Sequence, residues 1–383
     1  MEAELYNLNP WWEQKFETKS IIRDDYLARL KNNLESKEII FLTGLRRVGK
    51  TTIMKQLIQE LLKTERAENI FFINLDTFLL LRFSIHELIE QYREIHKKSV
   101  NDKFYLFIDE ITSKEDFEKE LKSLYDNENI KIICSSSIAT LMKDKKALLT
   151  GRTKTIEVMP LTFKEFLKFK NLKILKSDVS KLNAYFKNYL KIGGLPNYVL
   201  TEDEEYLTEL VESILYKDII SQYNITNERV IKELFVLLCE RVGKPLSFNK
   251  LSNILGVSVD SVKRYISYFE KAYLFYVVNR YAKSPNENIT SPKKIYVGDV
   301  GIKNIITGFK DLGSCYENLV YLAIKENKPS YYFENSIEID FIYKDTLIEA
   351  KYDKELEGKQ KKLFENFKIK NKILANGVKF FMK

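Results

Sequence analysis

"FLTGLRRVGKTT", Phe41 to Thr52, is the stretch on which the reading of this chain turns. Gly44, Gly49, Lys50 and Thr51 fit G-x-x-x-x-G-K-[ST]. The apolar run Ile39 to Thr43 precedes them, and Ile53, Leu57, Ile58 and Leu61 follow at helical spacing. A buried strand, a loop and a helix from Lys50 to Lys63 are therefore predicted. Glycines let the backbone curl until successive N–H groups point inward, and the helix N-terminus adds positive potential at the same spot. Such a loop cradles phosphates. Gly44, Leu45, Arg46, Arg47, Val48, Gly49, Lys50, Thr51 and Thr52 would line a nucleoside triphosphate, ATP or GTP. Lys50 would reach the β and γ phosphates, and the Thr51 hydroxyl would ligate Mg²⁺.

Outward from the loop, apolar strands and amphipathic helices alternate. Strands are expected at IFFINL from Ile70, FYLFID from Phe104 and KIIC from Lys131, with helices over Ile85 to Lys97 and Asp116 to Tyr125. This order indicates a parallel sheet covered by helices on both faces. FYLFIDEI ends in Asp109 and Glu110. Asp109 is placed to hold the Mg²⁺ water shell, and Glu110 to orient and deprotonate an attacking water. A base aimed at water favours hydrolysis over transfer to an acceptor. Ser136, at the end of the next strand, is a candidate sensor of the γ-phosphate; the competing reading is a cap for a short helix from Ile138 to Met142. Arg152 in TGRTK is a candidate arginine finger, in cis or from a neighbouring copy, against a plain basic turn. The segment Asn9 to Arg23, with Trp11 and Trp12, is expected to wrap the adenine side.

The 383 residues are 45% hydrophobic and 30% charged, which suits packed cores and excludes wholesale disorder. With 13 glycines and 7 prolines, long flexible linkers have little room. The net charge of +8 favours an anionic partner, and the final 33 residues, Lys351 to Lys383, carry ten lysines against four acids. A solvated lysine-rich surface explains that run equally well. Cys134, Cys239 and Cys315 are widely spaced and odd in number, so neither a disulfide framework nor a zinc site is supported and a reducing cytoplasm fits. No run approaches the roughly 18 apolar residues of a membrane helix, and no export signal is visible. No membrane partner is expected.

Past Pro160 the pattern shifts to long amphipathic helices as far as Gln222. Leu246 to Leu255 then gives a short helix, Gly256 a tight turn, and Ser258 caps a second helix to Lys271, with Tyr273 to Tyr281 as a wing. The second helix would present Ser258, Asp260, Ser261, Lys263 and Arg264 outward while Val262, Ile266 and Phe269 pack inward. DNA contact by this face is one reading, an internal packing module the other, and Asp260 would repel phosphates. Ala282 to Lys294, with two prolines, reads as a linker.

After it, strand, helix, strand, strand, helix, strand are expected. In NSIEIDFIYKDTLIEAKY two strands meet at a turn around Asp345. Alternation puts Glu349 and Lys351 on one side, Asp340 on the neighbouring strand can come beside them, and Glu317 in the preceding helix could close the group. Carboxylates around Mg²⁺ with a lysine beside them are what metal-assisted phosphodiester cleavage requires. The alternative is an inactive relic in which Glu349 and Lys351 merely pair. The Asp…Glu-x-Lys arrangement resembles the restriction-endonuclease-like fold.

"GLRRVGKTT", "FIDEI", "SSS…TGR", "MPLTFKEF", "YLKIGGLPNYV", "LYKDII", "KKIYVGDVGI", "CYENLVYLAI" and "EIDFIY…LIEAK" occur here in an order that resembles a family of archaeal and bacterial AAA-type ATP-binding proteins. The likeness runs from about Asn9 to Lys351. It implies an ATPase core, a helical lid, a winged helix and a nuclease-like fold. Where that family commonly has Gly-Ser-Ser, this chain has Ser135, Ser136 and Ser137. The expectation is thus an α/β chain: a P-loop parallel-sheet ATPase domain over 1–160, a helical lid over 161–225, a winged helix-turn-helix over 226–285 and a restriction-endonuclease-like domain over 286–383. ATP and Mg²⁺ are the expected cofactors and DNA the expected partner. The alternative is a nucleotide-gated switch that recruits a protein, and a second copy is a further candidate partner.

Overall fold

A strand covered on both faces must be apolar along its whole length, and β1 (Ile39–Thr43) is buried at every position. The computed structural model describes residues 1–138, 146–175, 178–282 and 284–382. The helix expected over Ile138 to Met142 lies, beyond Ile138, outside the described residues. By its contacts the chain divides into two compact units, Met1–Val158 and Met159–Lys383. Among the described residues no helix is long and apolar enough to cross a membrane.

In the first unit α1 (Glu2–Leu8) and α2 (Asp24–Lys31) precede β1. Then follow α3 (Lys50–Leu61), β2 (Ile70–Asn74), α4 (Ile85–His96), β3 (Phe104–Asp109), α5 (Phe117–Asn127), β4 (Ile130–Ser136) and β5 (Thr153–Glu157). The five strands are parallel in the order β2-β3-β4-β1-β5. At α4, local chemistry sets where the helix starts. Ser84 accepts from the Glu87 amide and Glu87 returns the bond to the Ser84 amide, a reciprocal cap at the head of α4. Strand β5 was not expected, because its exposed Lys154 and Thr155 break any apolar run.

Phe71 of β2 stacks on Tyr92 of α4 with ring centres 4.5 Å apart, inside a core that alternate residues of β1 to β4 supply from one face of the sheet. The indole N–H groups of Trp11 and Trp12 both donate to the Ile70 carbonyl, at 3.1 and 3.0 Å. Ile70 opens β2, at the end of the sheet opposite the loop after β1. The two tryptophans therefore close the far end of the sheet, a correction to the adenine-wrapping expectation.

The second unit begins with α6 (Phe163–Phe169), α7 (Val179–Ile192), α8 (Pro196–Thr201), α9 (Glu204–Ser213) and a π-helical turn, Ile214–Ser221. Next come α10 (Glu228–Cys239), β6 (Pro245–Leu246), α11 (Phe248–Leu255), α12 (Val259–Lys271), β7 (Phe275–Val278), α13 (Pro285–Thr290) and β8 (Lys293–Val297). The chain ends with α14 (Val300–Thr307), α15 (Leu312–Ile324), β9 (Ser330–Glu334), β10 (Ile337–Tyr343), β11 (Thr346–Lys351), α16 (Gly358–Asn366) and β12 (Asn371–Asn376). Strands β6, β8 and β7 form an antiparallel sheet with β8 in the middle, and β12-β11-β10-β9 form a mixed one. As expected, Ser258 caps α12, accepting from the Ser261 amide at 3.1 Å, and Val262, Ile266 and Phe269 are buried.

Two expectations need correction here. Ala282 to Lys294 is not a plain linker: Pro285–Thr290 is helical, and Lys293 and Lys294 open the central strand β8. A division at 285/286 would accordingly split the three-stranded sheet. The tail also carries one more helix and one more strand than expected, since α14 and α15 are separate and β9 joins the sheet ahead of β10.

The glycine motifs explain one another. Asp299 caps α14, accepting from the Gly301 amide at 2.8 Å and, across 105 positions, from the Gly194 amide at 2.6 Å. A Cβ on Gly193 would meet the Asp299 carboxylate at 2.2 Å, and one on Gly301 the Ile192 carbonyl oxygen at 2.2 Å. "IGGLP" and "GDVGI" are two halves of one close contact between the end of α7 and the start of α14. Burial pushes the Asp299 carboxyl up to about 6, against the opposing pull of the N–H groups of Gly194, Gly301 and Ile302.

Candidate functional site

The loop after β1 is shaped by left-handed backbone: Gly44 has φ 138°, Arg47 φ 69° and Gly49 φ 98°. Leu45 and Val48 are buried and anchor the loop from beneath, so they offer a nucleotide only their backbone. Arg46 is half-buried, while Arg47 and Thr52 are exposed. The Lys50 ammonium is held at the loop itself, donating to the carbonyls of Gly44 at 3.0 Å and Leu45 at 3.2 Å. Arg23, the last residue of the segment expected at the adenine side, supports the same loop: its guanidinium, 4.5 Å from the Tyr26 ring, donates to the Val48 carbonyl at 3.1 Å. Arg23 is buried, and its role is a contact to the loop's backbone, not the adenine contact expected of its segment.

β4 lies between β1 and β3, and the ends of all three strands meet at one edge. There the Thr51 hydroxyl donates to Asp109 Oδ2 at 2.8 Å, and the Ser135 hydroxyl donates to Asp109 Oδ1. Burial pushes the Asp109 carboxyl up, and the bonds from Ser135 and Thr51 pull it back down. Glu110 has φ 50°, a left-handed turn that takes the chain off the strand. Its amide donates to Ser135 Oγ at 3.0 Å, and its carboxylate accepts from the Ser137 amide and hydroxyl, both at 3.2 Å. Lys50, Thr51, Asp109 and Glu110 thus converge as expected.

Ser136 lies one step away. Its hydroxyl is engaged by Thr112 at 3.0 Å and by the backbone of Ile138 at 3.0 and 3.1 Å. Ser135 and Ser137 are the serines that touch the acidic pair.

Arg152 stands elsewhere. The Ile39 amide donates to its carbonyl at 2.8 Å, which puts Arg152 beside the start of β1, at the sheet end opposite the loop. Its guanidinium forms a two-point contact with Asp126 at 3.0 and 3.3 Å and lies 5.6 Å from the Tyr125 ring. Arg152 is therefore not a finger for the site of its own chain, a correction to the cis reading.

In the tail, two of the expected carboxylates, Glu317 and Asp340, gather with Glu338, which was not expected, around a lysine that the sequence reading missed. Lys294, the second residue of β8, is 0% exposed and lies 2.9 Å from Glu317 Oε1, 2.5 Å from Glu338 Oε1 and 3.7 Å from Asp340 Oδ1. The Tyr296 hydroxyl, on the same face of β8, donates to Glu317 Oε1 at 2.6 Å. Lys351 pairs with Glu349 at 2.7 Å, and Gln360 of α16 donates to the same carboxylate at 2.6 Å. Asp340 and Glu349 are tied across the β10–β11 ladder: the Asp340 amide donates to Glu349 at 3.2 Å, and the Ala350 amide to Asp340 at 2.9 Å. Burial raises the pKa of Glu317, Glu338, Asp340 and Glu349 alike. Burial would also strip the proton from Lys294, but Glu317, Asp340 and Glu338 outweigh it and hold its pKa above the ordinary value. Among the described residues, no group of three or more His, Cys, Asp or Glu side chains is arranged to hold a metal ion.

Comparison with known proteins follows this geometry. A family model described as an AAA domain matches residues 36–167, and one described as a domain of unknown function (DUF8612) matches residues 183–313. An uncharacterised protein of Methanocaldococcus jannaschii, MJ1544, is 31% identical over 344 residues, spanning 85% of this chain and 75% of that protein. The chain belongs to the MJ1544 family. The residues matched by the AAA-domain model include the loop, Asp109 and Glu110. An uncharacterised protein of Haemophilus influenzae is similar at 29% identity over 336 residues, 84% of this chain and 83% of its own length. Among solved structures, the Walker-type ATPase PABY2304 of Pyrococcus abyssi aligns at 15% identity over 77% of this chain and 99% of that one, with a TM-score of 0.48.

Proposed function

We propose that this MJ1544-family chain is a Mg²⁺-dependent ATP hydrolase whose second unit engages DNA through a winged-helix module and a tail of restriction-endonuclease-like fold. The observation that carries the hydrolase reading is the 2.8 Å contact between Thr51 at the head of α3 and Asp109 at the end of β3. Hydroxyl and carboxylate are the hard oxygen donors that Mg²⁺ takes, so the residues fit the ion. When bound, the ion would neutralise charge on the β and γ phosphates. The chain's own part is clear in outline. Backbone N–H groups between Gly44 and Thr51 bind the phosphates, Lys50 adds charge there, and Glu110 orients a water and takes its proton.

The test is ATP turnover with nucleotide binding measured alongside. Lys50→Ala should lose both, whereas Glu110→Gln should keep binding and lose turnover by about 10²- to 10⁴-fold. Unchanged turnover in Glu110→Gln would overturn the assignment of the base.

Support for DNA engagement comes from α12. Its exposed Lys263 and Arg264 stand beside the cap Ser258, and Asp260 lies 3.8 Å from Lys263, which offsets its charge. Helix α10, strand β6, helices α11 and α12, and strands β7 and β8 follow the order of a winged helix. A DNA-stimulated turnover that weakens steeply with salt is expected.

The second reading, a nucleotide-gated switch without cleavage, is favoured by Lys294. The tail's carboxylates are taken up by the chain's own donors and do not fit a divalent ion in this arrangement. No cleavage step is assigned to them.

A further inference from the structure

The cluster in the tail has the composition of a divalent-ion site and the bonding of something else. A divalent ion draws several carboxylate oxygens to about 2.0–2.6 Å. Here those oxygens are largely committed. Asp340 Oδ2 takes the Ala350 amide at 2.9 Å, and Glu349 Oε2 takes the Asp340 amide at 3.2 Å. Glu349 Oε1 takes both Lys351 at 2.7 Å and Gln360 at 2.6 Å. Glu317 Oε1, Glu338 Oε1 and Asp340 Oδ1 converge instead on one point, and the Lys294 ammonium is there.

That ammonium has what an ion in the same place would have: full burial, converging carboxylates and a tyrosine hydroxyl completing the shell of Glu317. Two of the four carboxylate charges are offset without a metal. Two lysines face four carboxylates, and burial favours proton uptake by those that remain. A divalent ion entering beside Lys294 would meet a like charge a few ångströms away in a poorly solvated pocket, and the two would repel.

We propose that Lys294 is the resident cation of this cluster, a tethered ammonium that occupies the place of a divalent ion and keeps such ions out. The lysine comes from the three-stranded sheet, not from the tail sheet whose carboxylates it meets. In register it sits opposite Pro245 of β6 on one side and Val278 of β7 on the other. Pairing on both sides fixes β8, so the ammonium is held at the cluster by the sheet that also contains β6 and β7. This rests on the nuclease-like reading of the tail only for the class of ligand, and absence of ATP hydrolysis would leave it standing.

The test uses full-length, nucleotide-free protein and Mn²⁺ as the probe, with binding read from the loss of the free-ion electron paramagnetic resonance signal. All proteins carry Asp109→Asn, so that the phosphate-loop site does not contribute. With Lys294 in place, no Mn²⁺ binding sensitive to Asp340→Asn is expected. Lys294→Gln, or Lys294→Met should the amide fail to fold, is expected to gain one bound Mn²⁺. Its affinity should rise by roughly 10- to 100-fold, the scale on which groups around a metal act, and adding Asp340→Asn should abolish the gain. A lysine of merely structural importance would lower the melting temperature on replacement and create no ion site. Two results would overturn the proposal: Asp340-dependent Mn²⁺ binding by the chain that retains Lys294, or a folded Lys294 variant that gains none.

Discussion

Gly44 has no room for a side chain: a Cβ would stand 2.3 Å from the Val158 carbonyl oxygen, on a backbone with φ 138°. Gly49 is also left-handed, at φ 98°, but meets nothing within 4 Å. The two glycines of one motif therefore serve different ends, close approach to β5's end at Gly44 and backbone shape alone at Gly49. Gly49→Ala should cost about 1–3 kcal/mol from strain. Gly44→Ala should cost more and weaken ATP binding as well, because the loop has to shift. Thermal unfolding with and without Mg-ATP checks this, and equal losses at the two positions would show that the Val158 contact relaxes freely. At this scale Lys50, Thr51, Asp109 and Glu110 were legible because their spacing along the chain encodes the site. Ser135 was not. Consecutive serines on a strand alternate in direction, and the choice among them follows from the register that sets Ile108 beside Cys134. Lys294 was hidden for a related reason, since a lysine after proline in a polar run reads as surface until its strand is seen to be central.

At the scale of elements, the join between α7 and α14 depends on one carboxyl. The native Asp299 holds its proton up to about pH 6, against an ordinary value of 3.8. Between those values the folded chain binds more protons than the unfolded one. Stability from this group therefore falls as pH rises from about 4 to 6 and is level beyond, with a slope of at most about 1.4 kcal/mol per pH unit. Asp299→Asn should be less stable throughout, because its amide cannot accept from both the Gly194 and Gly301 N–H groups. Relative to the parent it should lack the fall between pH 4 and 6. Urea midpoints taken across that range decide it, and parallel pH profiles would refute it. Much of the first unit's element order was readable, because parallel buried strands are uniform apolar runs and the helices between them show apolar residues at helical spacing. Strand order was not, because nothing local tells β1 that β4 and β5 will flank it. The tail was read less well: α13 and β8 lie in a proline-containing polar stretch whose structure comes from tertiary pairing, not from propensity.

For the whole molecule, the division after Val158 gives each unit a separate hydrophobic interior, and the phosphate loop lies wholly within the first. A ligand that binds only the folded form of one unit stabilises that unit. Mg-ATP at a hundred times its dissociation constant should add about 2.7 kcal/mol. Calorimetry should show that gain in the transition assigned to the first unit, while Asp299→Asn displaces the other transition. A single transition moved equally by both would mean that the units unfold as one. The bond from Gly194 to Asp299 closes a span of 105 residues. On the ribosome that closure waits until Val300 has left the exit tunnel, long after the first unit, Met1–Val158, has emerged. A nascent chain in that interval holds the folded first unit ahead of helices whose apolar faces are still uncovered, which is the kind of intermediate that chaperones attend. Synonymous codon changes that slow translation between 194 and 299 would lengthen that exposure without altering a single side chain.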